Sequence, residues 1–330
     1  KRIWGWYFFD WASQPYNTLM LTFIFGPYFA QTATTTLIEG GMAPDAAKAQ
    51  AQAYWGYGLT AAGLSIAVLA PLLGSVADKT GQRIPWIWLF SALYVVGSAG
   101  LWWTAPADFS VLWALFFFGV GLIGMEFATI FTNSYLPELH QNENERGRIS
   151  GSGWAFGYLG GVAALVLMLV FFQAGDNGRT MIGLAPLFGL DPATGADTRI
   201  VGPLTAIWFI IFMIPFFLFV KDAKSDRTRR PSLTGGLRDL IATLKGLPRS
   251  PSLLAYLGSS MFYRDALNGL YGFGGVYAGG VLKWEATQLG LFGILAAITG
   301  ALGAWYGGKM DDERGPKFVV RIAIIILIIV

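Results

Sequence analysis

The 330-residue chain contains no cysteine and a single histidine, His140. The first absence excludes a disulfide framework, thiolate catalysis and a cysteine-ligated metal, and the second removes any histidine cluster. Charge is scarce too: Asp, Glu, Lys and Arg make up 13% of the residues, where a soluble domain carries about 25%. A net charge of +3 is too small to point to a nucleic-acid partner. No signal-peptide layout opens the chain. It starts at Lys1 rather than Met and stops within the apolar run 322–330, as expected of a segment cut from a longer protein.

What fills the chain instead is apolar: 54% hydrophobic residues, with 43 Gly and 13 Trp. This predicts an all-α integral membrane protein, with the lipid bilayer as its surroundings. Mostly apolar runs long enough to cross a bilayer lie at 3–33, 54–77, 86–104, 111–136, 150–173, 200–220, 253–281, 286–308 and from 317 onward, nine spans with the last unfinished. If residue 1 is cytoplasmic, the inner segments hold 18 of the 23 cations and the outer ones only Lys48, Arg179, Arg199 and Lys283, with Arg264 inside a span. The positive-inside rule then sets a cytoplasmic N-terminus in what is expected to be a bacterial inner membrane.

Two stretches repeat. Gly74-Ser-Val-Ala-Asp78-Lys-Thr-Gly81-Gln-Arg83 and Gly308-Lys-Met-Asp-Asp312-Glu-Arg-Gly315-Pro-Lys317 share a Gly, Asp, Gly, cation pattern at an offset of 234 residues, each after a long apolar segment. A period that large is no solenoid; it marks two helical halves with equivalent charged turns. The halves are residues 1–220, a six-helix bundle, and 253–330, a partial second bundle, joined by a basic linker at 221–252. Twelve helices are expected in the intact protein, three and part of a fourth lying beyond Val330. In the linker Leu237, Leu240, Ile241 and Leu244 recur at helical spacing, which fits either a short helix on the membrane surface or a solvated tether.

Four charged residues fall inside the spans: Asp10, Glu126, Arg264 and Asp265. Each costs roughly 2.5 to 3.5 kcal/mol at the bilayer centre, so they are expected to face a bundle interior or a wet cavity. Each leads a polar stripe: Asp10, Gln14 and Asn17; Glu126, Thr129 and Asn133; Arg264 and Asp265 with Asn268. Arg264 and Asp265 point about 100° apart and cannot share one axis. Arg264 is either the anchor for an anionic substrate group, held bidentately, or a permanent partner of Asp10, Glu126 or Asp265. Asp10 and Glu126 are either proton carriers or members of structural ion pairs. Tyr16 and Tyr271 are candidate walls, and Pro15, Pro27 and Pro71 candidate kinks whose freed carbonyls line a cavity.

Gly74 to Arg83 resembles the loop signature between the second and third helices of the major facilitator superfamily, and Gly308 to Lys317 its weaker copy after the eighth helix. The opening Tyr7-Phe-Phe-Asp10-Trp11-Ala-Ser-Gln-Pro-Tyr16-Asn17-Thr and the stretch Arg146-Gly-Arg148-Ile-Ser-Gly151-Ser-Gly153-Trp154 are similar to the vacuole-effluxer branch, the fungal autophagy-related vacuolar amino-acid effluxers and their bacterial relatives. The resemblance implies a two-bundle facilitator fold whose first, fourth and seventh helices line a central cavity, where the in-span charges fall. It implies efflux of an amino acid or similar small polar metabolite by alternating access, with one chain as the transport unit. Gln14, Asn17, Asn133, Arg264, Asn268 and Tyr271 are then substrate-binding candidates, and Asp10, Glu126 and Asp265 proton-coupling or ion-pair candidates. For the repeated loops (Gly74, Asp78, Gly81, Arg83, Asp312, Gly315) it implies a cytoplasmic latch; a plain solvated turn is the alternative. No metal, cofactor or catalytic set is expected, and a facilitator-fold assembly factor or receptor is the rival class.

Glycines recur every four residues at Gly153, Gly157 and Gly161, and small residues at Gly293, Ala297 and Ala301. These two stripes are expected to pack against each other across the halves. Two nucleotide strings fail on context. Gly119-Val-Gly121-Leu-Ile-Gly124 fits the dinucleotide fingerprint without a strand before it, and Gly303 to Lys309 reads G-x-x-x-x-G-K but continues with Met310. His140 is taken as surface.

Overall fold

The computed structural model describes residues 1–80, 82–139, 145–175, 177–222, 238, 241–242 and 244–329. Among them there are helices and no named strand, only an isolated bridge between Ala174 and Thr180. The first span is α1 (Arg2–Pro15), a π-helical stretch (Tyr16–Phe23) and α2 (Phe25–Glu39). There follow α3 (Pro44–Thr80), α4 (Ile84–Gly100), α5 (Val111–Asn133), the short α6 (Leu136–Leu139) and α7 (Arg146–Phe171). The short α8 (Ala196–Arg199) leads into α9 (Val201–Phe219), and the second half supplies α10 (Pro251–Gly280), α11 (Ala286–Arg314) and α12 (Pro316–Ile329).

Six of these stretches are long and apolar enough to cross a membrane, from Pro44–Gly74 to Gln288–Arg314. The other three expected spans are helical as well: one is divided by its π-helical stretch, one carries Arg264 and Asp265, and α12 has 14 residues. The surface is apolar where a soluble protein would be wet, with Leu112 79% and Phe262 72% exposed. A surface of that kind is matched to acyl chains. In the linker Ile241 and Leu244 are helical and exposed, while Leu237 and Leu240 lie outside the described residues, as does His140.

The bend in the first span follows from Pro15, which has no N–H to give to Trp11. The Trp11 carbonyl accepts instead from the Trp208 indole nitrogen at 3.1 Å, so the group freed by the proline is satisfied by a side chain of α9. Beyond Pro15 the turns widen, and Ile24 N–H bonds back to Leu19 O, five residues earlier, at 3.0 Å. Such wide turns inside membrane helices recur at functional sites. Aromatic rings fill the first half: Trp6, Phe9, Tyr16, Phe25, Trp55, Tyr94, Phe118 and Phe127 are fully buried.

Glycines set the close approaches. Gly97 and Gly124 bring α4 and α5 into backbone contact, a Cβ at Gly124 standing 2.4 Å from Tyr94 N and one at Gly97 2.2 Å from Gly121 N, while a Cβ at Gly121 would meet the Tyr16 hydroxyl at 2.6 Å. The string that imitates a nucleotide fingerprint is therefore packing surface. Gly303 to Lys309 runs through the interior of α11, with no loop to cradle a phosphate.

The expected pairing of the two small-residue stripes is corrected by the fold. Gly153, Gly157 and Gly161 face α1 and the π-helical stretch within their own half, where added Cβ atoms would meet Trp6, Asp10 and Thr18 at 2.5, 3.0 and 2.5 Å. The seam between halves uses the other face of α7. There a Cβ at Gly151 would lie 2.4 Å from Ala304 O, one at Gly308 2.5 Å from Gly147 O, and one at Gly300 3.2 Å from the Tyr158 ring. Glycine occurs on both faces of α7, so periodicity alone did not separate them.

Gly160→Ala puts a methyl group 2.6 Å from Trp11 O, backbone that cannot yield. It is expected to destabilise the protein by about 1–3 kcal/mol. Gly119→Ala, with nothing within 4 Å, is expected to be neutral or to stabilise by a few tenths. Thermal unfolding in detergent checks both, and equal shifts would refute the close contact of Gly160 with Trp11 O.

Candidate functional site

Three elements carry the in-span charges. Asp10, on α1, is half-buried against α7, its carboxylate 3.0 Å from the position of a Cβ on Gly153 and its own Cβ equally near Gly157. One turn on, Gln14 is half-buried beside Gly161, its Cγ 3.1 Å from the Cβ position. The next stripe member, Asn17, falls in the π-helical stretch and donates from Nδ2 to the Met125 sulfur across on α5 at 3.7 Å. Glu126 follows Met125 and is half-buried.

The third element is α10, from the second half. Its Arg264 lies close enough for the guanidinium field to act on the Glu126 carboxyl. Arg264, Asp265 and Asn268 are all exposed on α10. The π-helical stretch meets α10 so closely that a Cβ on Gly275 would stand 2.0 Å from Thr22 O. The first span thus meets α5 at Asn17 and Met125 and α10 at Thr22 and Gly275, and Arg264 of α10 lies within electrostatic range of Glu126.

Other candidates stand apart from this region. Asn133 is the last residue of α5 and exposed, about 10 Å along the axis from Glu126 at 1.5 Å per residue. Thr129 donates to Met125 O at 2.8 Å, a bond inside its own helix. Tyr16 is not a wall: it is fully buried, its hydroxyl donating to Phe118 O at 2.5 Å. The Tyr271 side chain lies outside the described ones, as do the Asp78 side chain and Gly81.

The repeated loops behave differently in the two halves. Asp312, near the end of α11, accepts from Gly147 N at 2.7 Å and Arg148 N at 2.9 Å. A carboxylate from one half thereby caps the N-terminus of a helix in the other, where unpaired N–H groups and the helix dipole both favour an anion. Gly308 permits this by letting the two backbones touch, and Gly315, at φ +82, turns the chain out of α11. At Gly74, in contrast, no described atom lies within 4 Å of the Cβ position.

Arg83 is tied to its own half and to the start of the linker. Its guanidinium meets Glu138 at 2.5 Å and lies 4.8 Å from the Tyr135 ring, and its backbone N–H donates to Asp222 at 3.0 Å. Glu138 also holds Arg2 at 2.9 Å, and the Tyr135 hydroxyl donates to Asp222, which reaches Ile84 N as well. Burial alone would raise the Glu138 carboxyl; hydrogen bonds and charge from Arg83 and Arg2 outweigh it and hold the group below the ordinary carboxylate range. Sequence reading missed Asp222. It lies 139 residues from its Arg83 partner, in a linker where an acid among many cations reads as solvated.

Comparison with known proteins follows the same lines. The family described as "Vacuole effluxer Atg22 like" matches residues 1–330. The chain is similar to the "Uncharacterized MFS-type transporter YxiO" of Bacillus subtilis (strain 168), 23% identical over 326 residues, which is 99% of this chain and 71% of that protein. It is also similar to "Autophagy-related protein 22" of Yarrowia lipolytica (strain CLIB 122 / E 150), 23% identical over 190 residues, 51% of this chain and 30% of that one.

Proposed function

We propose that this chain, which belongs to the vacuole effluxer Atg22-like family and is a membrane transporter rather than an enzyme, moves an amino acid or a similar small polar metabolite by proton-coupled alternating access. One arrangement supports the reading: Asn17 of the first span meets Met125, the neighbour of Glu126 on α5, and Arg264, on α10 of the other half, lies within electrostatic range of Glu126, with Asp10 and Gln14 farther back along the first span against α7. A carboxyl that binds and releases a proton beside a guanidinium couples two events. When Glu126 is ionised it competes for Arg264; when it is protonated, Arg264 is free to take a carboxylate of the substrate bidentately. Gln14, Asn17 and Asn268 supply neutral donors and acceptors for the rest of a polar ligand.

The Asp312 cap fits the same reading as a latch that holds one access state, and the excess of cations at the Arg2 end supports placing that end in the cytoplasm of a bacterial cell. The substrate class leans on the family description and on the mixed charge of the site. Its test is ligand-induced thermal stabilisation across a panel of amino acids and sugars. Arg264→Lys keeps the charge and loses the planar fork, so it is expected to weaken binding of the stabilising ligand about tenfold. Unchanged affinity would remove Arg264 as the anchor.

A further inference from the structure

We infer that Lys48 is a gate residue for the end of the transport path opposite Asp312: its ammonium closes the seam there by binding the C-terminus of α10. The inference rests on the alternating-access reading above and assigns it a second closing contact. Lys48 stands in the first turns of α3, half-buried, and its Nζ donates to Gly280 O at 2.9 Å. Gly280 is the last residue of α10. Beyond it the chain turns away through Lys283, at φ +58.

The backbone itself takes up part of that helix end: Val281 N and Leu282 N both reach Tyr277 O, at 2.7 and 3.3 Å, and Trp284 N reaches Ala278 O at 3.1 Å. Gly280 O is left for a side chain of the other half. A cation is the group that suits it, since the last carbonyls of a helix are unpaired and carry the negative end of the dipole. The cation arrives on a flexible stem, so the contact can form and break without moving the rest of α3.

The neighbourhood shows why this contact gates a seam rather than decorating a surface. At the same end of the molecule α10 approaches the first half through Gly275 against Thr22 O and Phe273 near Gly56. Of the four cations in the segments expected outside, Arg179 donates to Gly183 O and Arg199 to Trp102 O and Thr194 O, all within one half. Lys48 is bonded across the halves. It is the mirror of Asp312 in sign and in place: an anion caps a helix N-terminus at one end of the seam, a cation caps a helix C-terminus at the other. With both caps made, the two halves are tied at both ends of this seam.

The test uses spin labels in the full-length transporter. One pair at Asp45→Cys and Leu282→Cys reads the Lys48 end, and a second at Glu145→Cys and Glu313→Cys reads the Asp312 end. Lys48→Met keeps the stem and removes the charge, and is expected to raise the population with a long distance across the Lys48 end at least about fivefold. Lys48→Arg, which restores a cationic donor, is expected to return it to within about twofold of the parent, a rescue that a purely structural role for the stem would not need. An unchanged distance distribution in Lys48→Met, or an equal change in Lys48→Arg, overturns the gate. If the Asp312-end pair responds to substrate while the Lys48 end ignores Lys48→Met, alternating access stands and Lys48 falls. If neither pair moves under substrate or substitution, both readings fall together.

Discussion

Glu126→Gln is expected to abolish proton-driven accumulation of substrate while leaving exchange of substrate across the membrane in place. With one proton per cycle, a gradient of one pH unit is worth about 1.4 kcal/mol and sustains a concentration ratio of about ten. In vesicles carrying that gradient the variant should bring the ratio to one. The reason lies in the geometry: the glutamine fills the same half-buried place on α5 beside Met125 but carries no proton and no charge to compete for Arg264. Binding should therefore persist, since Arg264 remains free for the substrate. Asp10→Asn is the comparison, because Asp10 sits against the glycines of α7 and not beside the guanidinium. Accumulation that survives Glu126→Gln and fails in Asp10→Asn would move the proton to Asp10.

Asp312→Ala is expected to open the seam at the Arg2 end. The carboxylate accepts two backbone N–H groups, at 2.7 and 2.9 Å, on the first turn of α7. Losing an N-cap and its charge costs about 2 kcal/mol, roughly thirtyfold in the ratio of closed to open. Spin labels at Glu145→Cys and Glu313→Cys would show a longer distance becoming the major population, and transport would slow because one access state is no longer held. A distance distribution that matches the parent would show that the glycine seam of Gly147, Gly151 and Gly308 closes the path unaided.

The contacts of the second repeat were readable because its residues are local to the sequence signal: Gly308 for approach, Asp312 for charge, Gly315 for the turn. The first copy was readable as a pattern only. Its Arg83 bonds to Glu138 and Asp222, partners fixed by the meeting of α4, α6 and the end of α9, and nothing in a ten-residue string encodes that meeting. The helical class and the span positions were legible because apolar length is a one-dimensional property of the chain. The π-helical stretch was not: Pro15 announces a fault in the first span, but the wide turns that follow depend on Trp208 arriving to satisfy Trp11 O.

The candidate site shows the same division. Charges in apolar spans are conspicuous, so Asp10, Glu126 and Arg264 stood out; Arg264 lies within electrostatic range of Glu126, while Asp10 packs against the glycines of α7. Stripe membership ignores depth along a helix, which is why Asn133 shared a face with Glu126 yet stands at the far end of α5. Lys48 gave no signal at all. A lone cation between spans reads as solvated, and its partner, Gly280 O, is set by where α10 ends.

The measurement that bears most directly on the account is flux into vesicles reconstituted with the full-length protein, scored for amino acids and sugars with and without an imposed pH gradient. The account predicts saturable, gradient-dependent flux of at least one amino acid, and its loss in Arg264→Ala. Vesicles as impermeable as empty ones across the whole panel, or flux indifferent to Arg264, would contradict it.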